Sequence, residues 1–270
     1  MSLILYRTHK FDPEVRAFCE QLSAQSGREV VCLVDETRRE VDVSPFRKLS
    51  ITPAALRQHK LLIQSDSAWR CGDYGLYLAR TAYPDVERFW LVEYDVRIKT
   101  PEPLAAFFDS FSASDADMIA PFLNERDTTW WWYPSMQAGT GAVLGCLFPL
   151  LRVSSDLLDV ALDARRRQAR SPVYRLFWPN DESFLATVAM RGGFAVEDLN
   201  QSRACYTADS FAFERPWSGA DLALREPDGL VYHPVLYGGD LARKLNTLSK
   251  ATTLKERIQR KARKMLSPFA

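Results

Sequence analysis

A chain of 270 residues, 47% hydrophobic and 26% charged, has the balance of a soluble globular protein with apolar material for one large core or two small ones. The formal net charge of +1 hides a division. From Leu241 onward nine Lys/Arg face one acid, Glu256, so this tail carries +8 and the residues before it −7. No stretch reaches the roughly 20 apolar residues of a membrane span, and MSLILYRTHKF has neither a basic region before its apolar run nor a small-residue cleavage site. A cytoplasmic location is expected, at most peripheral to the inner face of the membrane. The five cysteines are scattered, with no C-x-x-C pair, which argues against a zinc site or a disulfide framework and predicts reduced, mostly buried thiols.

In chain order, LILYRTH (3–9) predicts a first strand. DPEVRAFCEQLSAQSG follows as a helix, with Asp12 as cap, Pro13 at the first helical position and Gly27 as the stop. EVVCLVDE (29–36) is a second strand ending in two acids; strand, helix, strand with tight connections implies a parallel pair with a right-handed crossover. Helices are expected over 52–62, with Thr52 as cap, and over 71–84, stopped by Pro84, before an apolar strand over 88–98. A helix over 101–116 leads into a strand over 117–123. RDTTWWWYPSMQAGTGAVLG reads as a turn-rich loop followed by a strand, then come helices over 154–169 and 180–193 and a strand over 194–199. The alternation predicts an open α/β sheet in one domain over 1–240, with a basic amphipathic helix over 241–270.

FWLVEYDVRIK (89–99) ends the most apolar run with Glu93 and Asp95. On a strand these two side chains face the same way, and like charges out of water raise each other's pKa unless a cation sits between them. A solvated strand end is the plain reading. The functional one is an acid pair at the sheet's carboxyl edge, holding a divalent ion through hard oxygen ligands.

An α/β half that ends in an acid-x-acid strand resembles the GT-A glycosyltransferases. The stretch WRCGDYGLYLARTAYPDVERFWLVEYDVRI (69–98) is similar to the helix and motif strand of that fold, with Glu-Tyr-Asp where many members have Asp-x-Asp. The resemblance implies a GT-A-like, Rossmann-related open mixed sheet flanked by helices. It also implies a nucleotide-diphosphate-sugar donor and a divalent cation, Mn²⁺ or Mg²⁺, on Glu93 and Asp95. Asp35 at the end of the second strand, and Arg70 and Asp73 before the motif strand, then become donor-binding residues. Arg243 and Lys244 are candidates to offset diphosphate charge, and the late His233 a candidate metal ligand. In WPNDESFLATVAMRGG (178–193) the string Asp-Glu-x-Phe-x-Ala-Thr is similar to the β-1,6-N-acetylglucosaminyltransferase pattern, in which the Glu is the base. It implies inverting hexosyl or N-acetylhexosaminyl transfer with Glu182 or Asp181 as catalytic base, although acids at a helix start also serve as plain caps. Trp130, Trp131 and Trp132 are candidates to stack on a glycan or glycolipid acceptor, or else pack a long loop onto the sheet.

Two other readings stay open. Pro-Asp, an acid strand and Lys99 echo metal-dependent nucleases of the PD-(D/E)xK kind, but the acid-x-Lys spacing is missing and the acidic body opposes nucleic acid. The other is a non-catalytic sugar-binding relative of the transferase fold. There is no P-loop motif and no G-x-G-x-x-G. The tail suits an anionic membrane surface, where each Lys/Arg contributes about 1 kcal/mol, or else a solvated helix packed on the domain.

Overall fold

The computed structural model describes residues 2–136, 141–172, 174 and 177–250. Its strands are β1 (Ser2–Thr8), β2 (Val30–Asp35), β3 (Lys48–Ile51), β4 (Arg88–Glu93), β5 (Arg97–Lys99), β6 (Met118–Ala120), β7 (Asn124–Arg126), β8 (Val143–Gly145), β9 (Leu150–Ser154), β10 (Val196–Asp198), β11 (Trp217–Ser218), β12 (Leu230–Tyr232) and β13 (Val235–Leu236). Seven form one sheet in the order β10-β6-β9-β4-β1-β2-β3, and the remaining six pair off as β11-β13, β12-β5 and β7-β8. In the large sheet only β9 runs against its neighbours β4 and β6; the other pairings are parallel. This is the open mixed sheet flanked by helices that the resemblance implies.

Strand alternation sorts the core into two layers. Leu3, Leu5, Phe89 and Leu91 face one side, packed with residues of the helices Asp73–Ala82, Ser155–Arg170 and Asp181–Arg191. Ile4, Tyr6, Trp90 and Val92 face the other, against the helices Pro13–Gln25 and Leu104–Asp109. Covered on both faces, β1 and β4 need no polar face, which is why they read as continuous apolar runs. Trp90 is 1% exposed and meets Phe108 and Phe111 edge-on at 5.2 and 5.3 Å. Its truncation to alanine costs about 3–5 kcal/mol.

The expected helix starts are present, with side-chain caps from Asp12, Thr52, Ser154 and Asn180. Three expectations change. The helix expected over 52–62 closes at Gln58, and Lys60 then takes a positive φ of 59°. The helix expected over 101–116 spans only Leu104–Asp109. The strand expected over 88–98 breaks after Glu93: Val96 N–H bonds back to the Glu93 carbonyl at 3.0 Å, and the chain resumes as β5 in another sheet. Chain order reverses about β1, with β2 and β3 to one side and β4 to the other. The carboxyl ends of β1 and β4 therefore flank a topological switch point, where open α/β sheets bind ligands. The chain is helical from residue 238 to 250, and the rest of the tail lies outside the described residues. Among the described residues no helix is long and apolar enough to cross a membrane.

Candidate active-site cleft

A cleft of roughly 1210 Å³ opens at this switch point. Its floor carries Arg7, Thr8 and His9 from the end of β1, Asp35 from the end of β2, and Glu93, Tyr94 and Asp95 beyond β4. One wall is Ala68, Trp69, Arg70 and Trp130–Trp132; Asn180, Asp181 and Glu182 lie at a helix start, and His233 and Lys244 come from the C-terminal part.

Because the strand breaks, strand alternation is not what brings the acid pair together. The turn after Glu93 does so, and the segment between β12 and β13, tied to Asp95 by the Val235 N–H to Asp95 carbonyl bond at 2.7 Å, adds His233. Donor atoms of Glu93, Asp95 and His233 lie within 4.8 Å of one another. Asp95 is 9% exposed, and its Oδ1 has no hydrogen-bond partner among the described residues. The nearest cation-capable atom, His233 Nε2, is 3.7 Å away. His233 Nδ1 lies 2.8 Å from the Ala212 carbonyl, to which it donates, and Nε2 is the nitrogen that faces Asp95. Burial pushes the Asp95 carboxyl above its ordinary range; His233 opposes this and Glu93 adds to it. An orphaned buried carboxylate oxygen beside a second carboxylate and an imidazole nitrogen is a donor set that fits a divalent cation.

Arg7 is the cation that partners Glu93. Its Nη1 bonds Glu93 Oε1, and its Nη2 donates to the Ala68 carbonyl at 2.6 Å. Burial disfavours its charge, but Glu93, then Asp181 and Asp35, outweigh that and hold its pKa above the ordinary value. Gly72 is glycine for room here: a Cβ would stand 2.6 Å from Asp181 Oδ2 and 2.7 Å from Arg7 Nη1.

Asp181 and Glu182 have different surroundings. Asp181 is 5% exposed; its Oδ2 accepts from Gly72 N–H at 2.7 Å and its Oδ1 from Glu182 N–H at 2.8 Å. Burial drives its pKa well up, with Glu182 and Asp73 adding repulsion. Glu182 is half-buried, and burial pushes its pKa to about 7, with Glu93 adding. The Asn180 amide, Arg126 and the Phe148 N–H pull the other way.

The remaining expected residues divide. Asp35 lines the cleft with Oδ1 engaged by Thr37, at 2.9 Å to N and 2.7 Å to Oγ1. Arg70 lines it too, paired with Asp66 at 2.5 Å, its guanidinium 5.4 Å from the Trp132 ring. Trp132 meets Trp69 at 6.2 Å, Trp130 holds Arg126 at 5.1 Å, and Trp131 stands 82% exposed. Lys244 reaches the cleft, with Nζ 3.2 Å from the Phe213 carbonyl. Two expected donor-binding residues lie elsewhere. Asp73 is wholly buried, bidentate with Arg165 at 2.7 and 3.0 Å and bonded by Tyr77 Oη at 2.8 Å. It is the acid of an interior ion pair. Arg243 is exposed, pairs with Asp240, and is not among the cleft-lining side chains. Sequence reasoning missed Arg7, Trp69, Asn180 and the exposed rim pair Arg38 and Arg39. A cation closing an apolar strand was the one visible signal, for Arg7.

No family model and no curated protein matches the chain. Among solved structures, it is similar to the crystal structure of a glycosyltransferase involved in the glycosylation of the major capsid of PBCV-1. The TM-score is 0.41 at 13% identity, over 86% of this chain and 92% of that one.

Proposed function

We propose that the protein is an inverting glycosyltransferase, moving a hexosyl or N-acetylhexosaminyl group from a nucleotide-diphosphate sugar to a glycan or glycolipid acceptor. One observation carries the reading. The same cleft brings together a donor set that could hold a cation, Glu93, Asp95 and His233, and a carboxylate, Glu182, whose pKa of about 7 suits a general base.

Asp95, His233 and Glu93 would hold a Mn²⁺ or Mg²⁺, which when bound supplies positive charge to offset a diphosphate. The chain's own residues do the rest. Asp35 and the nearby cations Arg38 and Arg39 meet the nucleotide end of the donor. Arg70 and Lys244 add positive charge where the leaving diphosphate gains negative charge. Glu182 takes the proton of the acceptor hydroxyl as its oxygen bonds to the anomeric carbon. The carbon–oxygen bond to the diphosphate breaks, and its electron pair leaves with the nucleoside diphosphate. Asp181 is a poor base, because Gly72 N–H and Glu182 N–H already use both of its oxygens. The exposed faces of Trp69 and Trp131, beside Trp132, suit stacking on an acceptor sugar ring.

Glu182→Gln tests the assignment. Turnover should fall by about 10²–10⁴-fold with donor affinity kept, since only the chemical step needs the base. Survival of turnover there, with collapse in Asp181→Asn, exchanges the two roles.

A further inference from the structure

Asn180 performs two tasks at once. Its backbone, at φ −73° and ψ 168°, is that of an N-cap, and its Oδ1 accepts from Ser183 N–H at 3.1 Å. The other end of the same amide turns to the cleft, where Nδ2 donates to Glu182 Oε2 at 3.1 Å. The residue is 4% exposed and lines the cleft. A cap alone needs only an acceptor, and Ser, Thr and Asp supply one as well. A donor to the neighbouring carboxylate is what only asparagine adds among the favoured side-chain caps: Ser or Thr is too short, and Asp would set a like charge against Glu182.

We infer that Asn180 is a positioning residue for the base. It fixes the Glu182 carboxylate in the cleft and favours its ionised form, beyond its service as a helix cap. The inference rests on the reading of Glu182 as base. The charged groups around Glu182 come from several elements: Glu93 at the end of β4, Arg126 on β7 and Asp181 on its own helix. Of these, Glu93 and Asp181 disfavour ionisation and Arg126 favours it. Asn180 adds a neutral, charge-assisted donor on the favourable side, at a fixed place.

The test separates cap from positioning. Asn180→Ser keeps the capping oxygen and removes the donor; Asn180→Asp keeps the cap and replaces the donor by a charge. Carboxyl ¹³C NMR of glutamate-labelled protein, with the Glu182 resonance assigned by its loss in Glu182→Gln, reads ionisation without any activity. The wild-type resonance should titrate near pH 7. Asn180→Ser should move it up by about one pH unit, the equivalent of one lost hydrogen bond to a charged group, and Asn180→Asp further. Both variants should keep the wild-type melting temperature at pH 5.5 within about 2 °C, because the cap survives. Turnover, read as nucleoside diphosphate released from the nucleotide sugar that most raises the melting temperature, should fall about 5-fold at pH 7 in Asn180→Ser through lost ionisation, and recover that factor at higher pH. An unmoved Glu182 titration in Asn180→Ser overturns the inference, as does a wild-type value in the ordinary carboxylate range. If Glu182→Gln still turns over, the base assignment itself fails. If Glu182→Gln is dead but Asn180→Ser is wild-type in turnover and titration, only the role of Asn180 fails.

Discussion

The clearest consequence of the cleft's chemistry is a stability cost that sets in between about pH 4.5 and 7. A free Glu has a reference value of 4.5, and burial lifts Glu182 to about 7. The sign follows from linkage. Between those values the folded protein binds a proton that the unfolded chain has released, so stability is lost as pH rises from about 4.5 to 7. Two and a half pH units correspond to about 3 kcal/mol. That is a ceiling for a half-buried group, because solvent screens part of it. At this chain length each kcal/mol moves the melting temperature by about 2–4 °C. Glutamine mimics the protonated form and keeps an acceptor for Asn180, so Glu182→Gln removes this term, together with the repulsion Glu182 exerts on Asp181. In metal-free buffer, differential scanning calorimetry should show Glu182→Gln leading wild type by only about 1–2 °C at pH 5. The variant should lead by about 4–8 °C at pH 8. The raised pKa of Asp95 acts in both proteins and largely cancels in the difference, whereas that of Asp181 is lowered in the variant, because the Glu182 charge contributes to it, and this adds to the variant's lead at high pH. A difference that does not change between pH 5 and pH 8 refutes the reasoning.

Three further outcomes follow from particular contacts. Asp73→Asn leaves Arg165 buried without its partner and should cost about 3–5 kcal/mol of stability, seen as a lower melting temperature; folded Asp73→Asn that binds donor normally agrees with Asp73 standing outside the cleft. Trp131→Ala should leave stability within about 0.5 kcal/mol, since the ring is 82% exposed, and raise the acceptor KM by about 3–10-fold for a lost stacking contact. The full chain should sediment with anionic liposomes at low salt and be released at high salt, while a chain ending at Lys250 stays in the supernatant; both remaining soluble would remove the membrane role of the basic tail.

How much of this was legible in the sequence depends on range. Caps and stops are local, and Asp12, Ser154 and Asn180 start helices where their neighbours say they should. Strands buried on both faces announce themselves, as β1, β2 and β4 did. Short or edge pairings such as β3 and β11-β13 carry too few residues for a period to show. At the cleft, the acids at the end of β4 were visible because they interrupt an apolar run. Their geometry was not, because a turn after Glu93 looks the same in sequence as a continuing strand. Arg7 was hidden for a different reason: only the adjacency of β1 and β4 puts it on Glu93. Asp73 misled by the same route, since an acid opening a helix reads alike whether it faces a ligand or, as here, an arginine 92 residues away.

In the proposed function a donor is held through a cation by Asp95 and its neighbours. Isothermal titration of a panel of nucleotide sugars into wild type and Asp95→Asn, each with Mn²⁺ and with chelator, tests that directly. One nucleotide sugar should bind wild type only with the cation present, and Asp95→Asn should lose that binding while keeping its fold by circular dichroism. Donor binding that is equally tight in Asp95→Asn, or no binding by any nucleotide sugar with Mn²⁺ or Mg²⁺, would contradict the account.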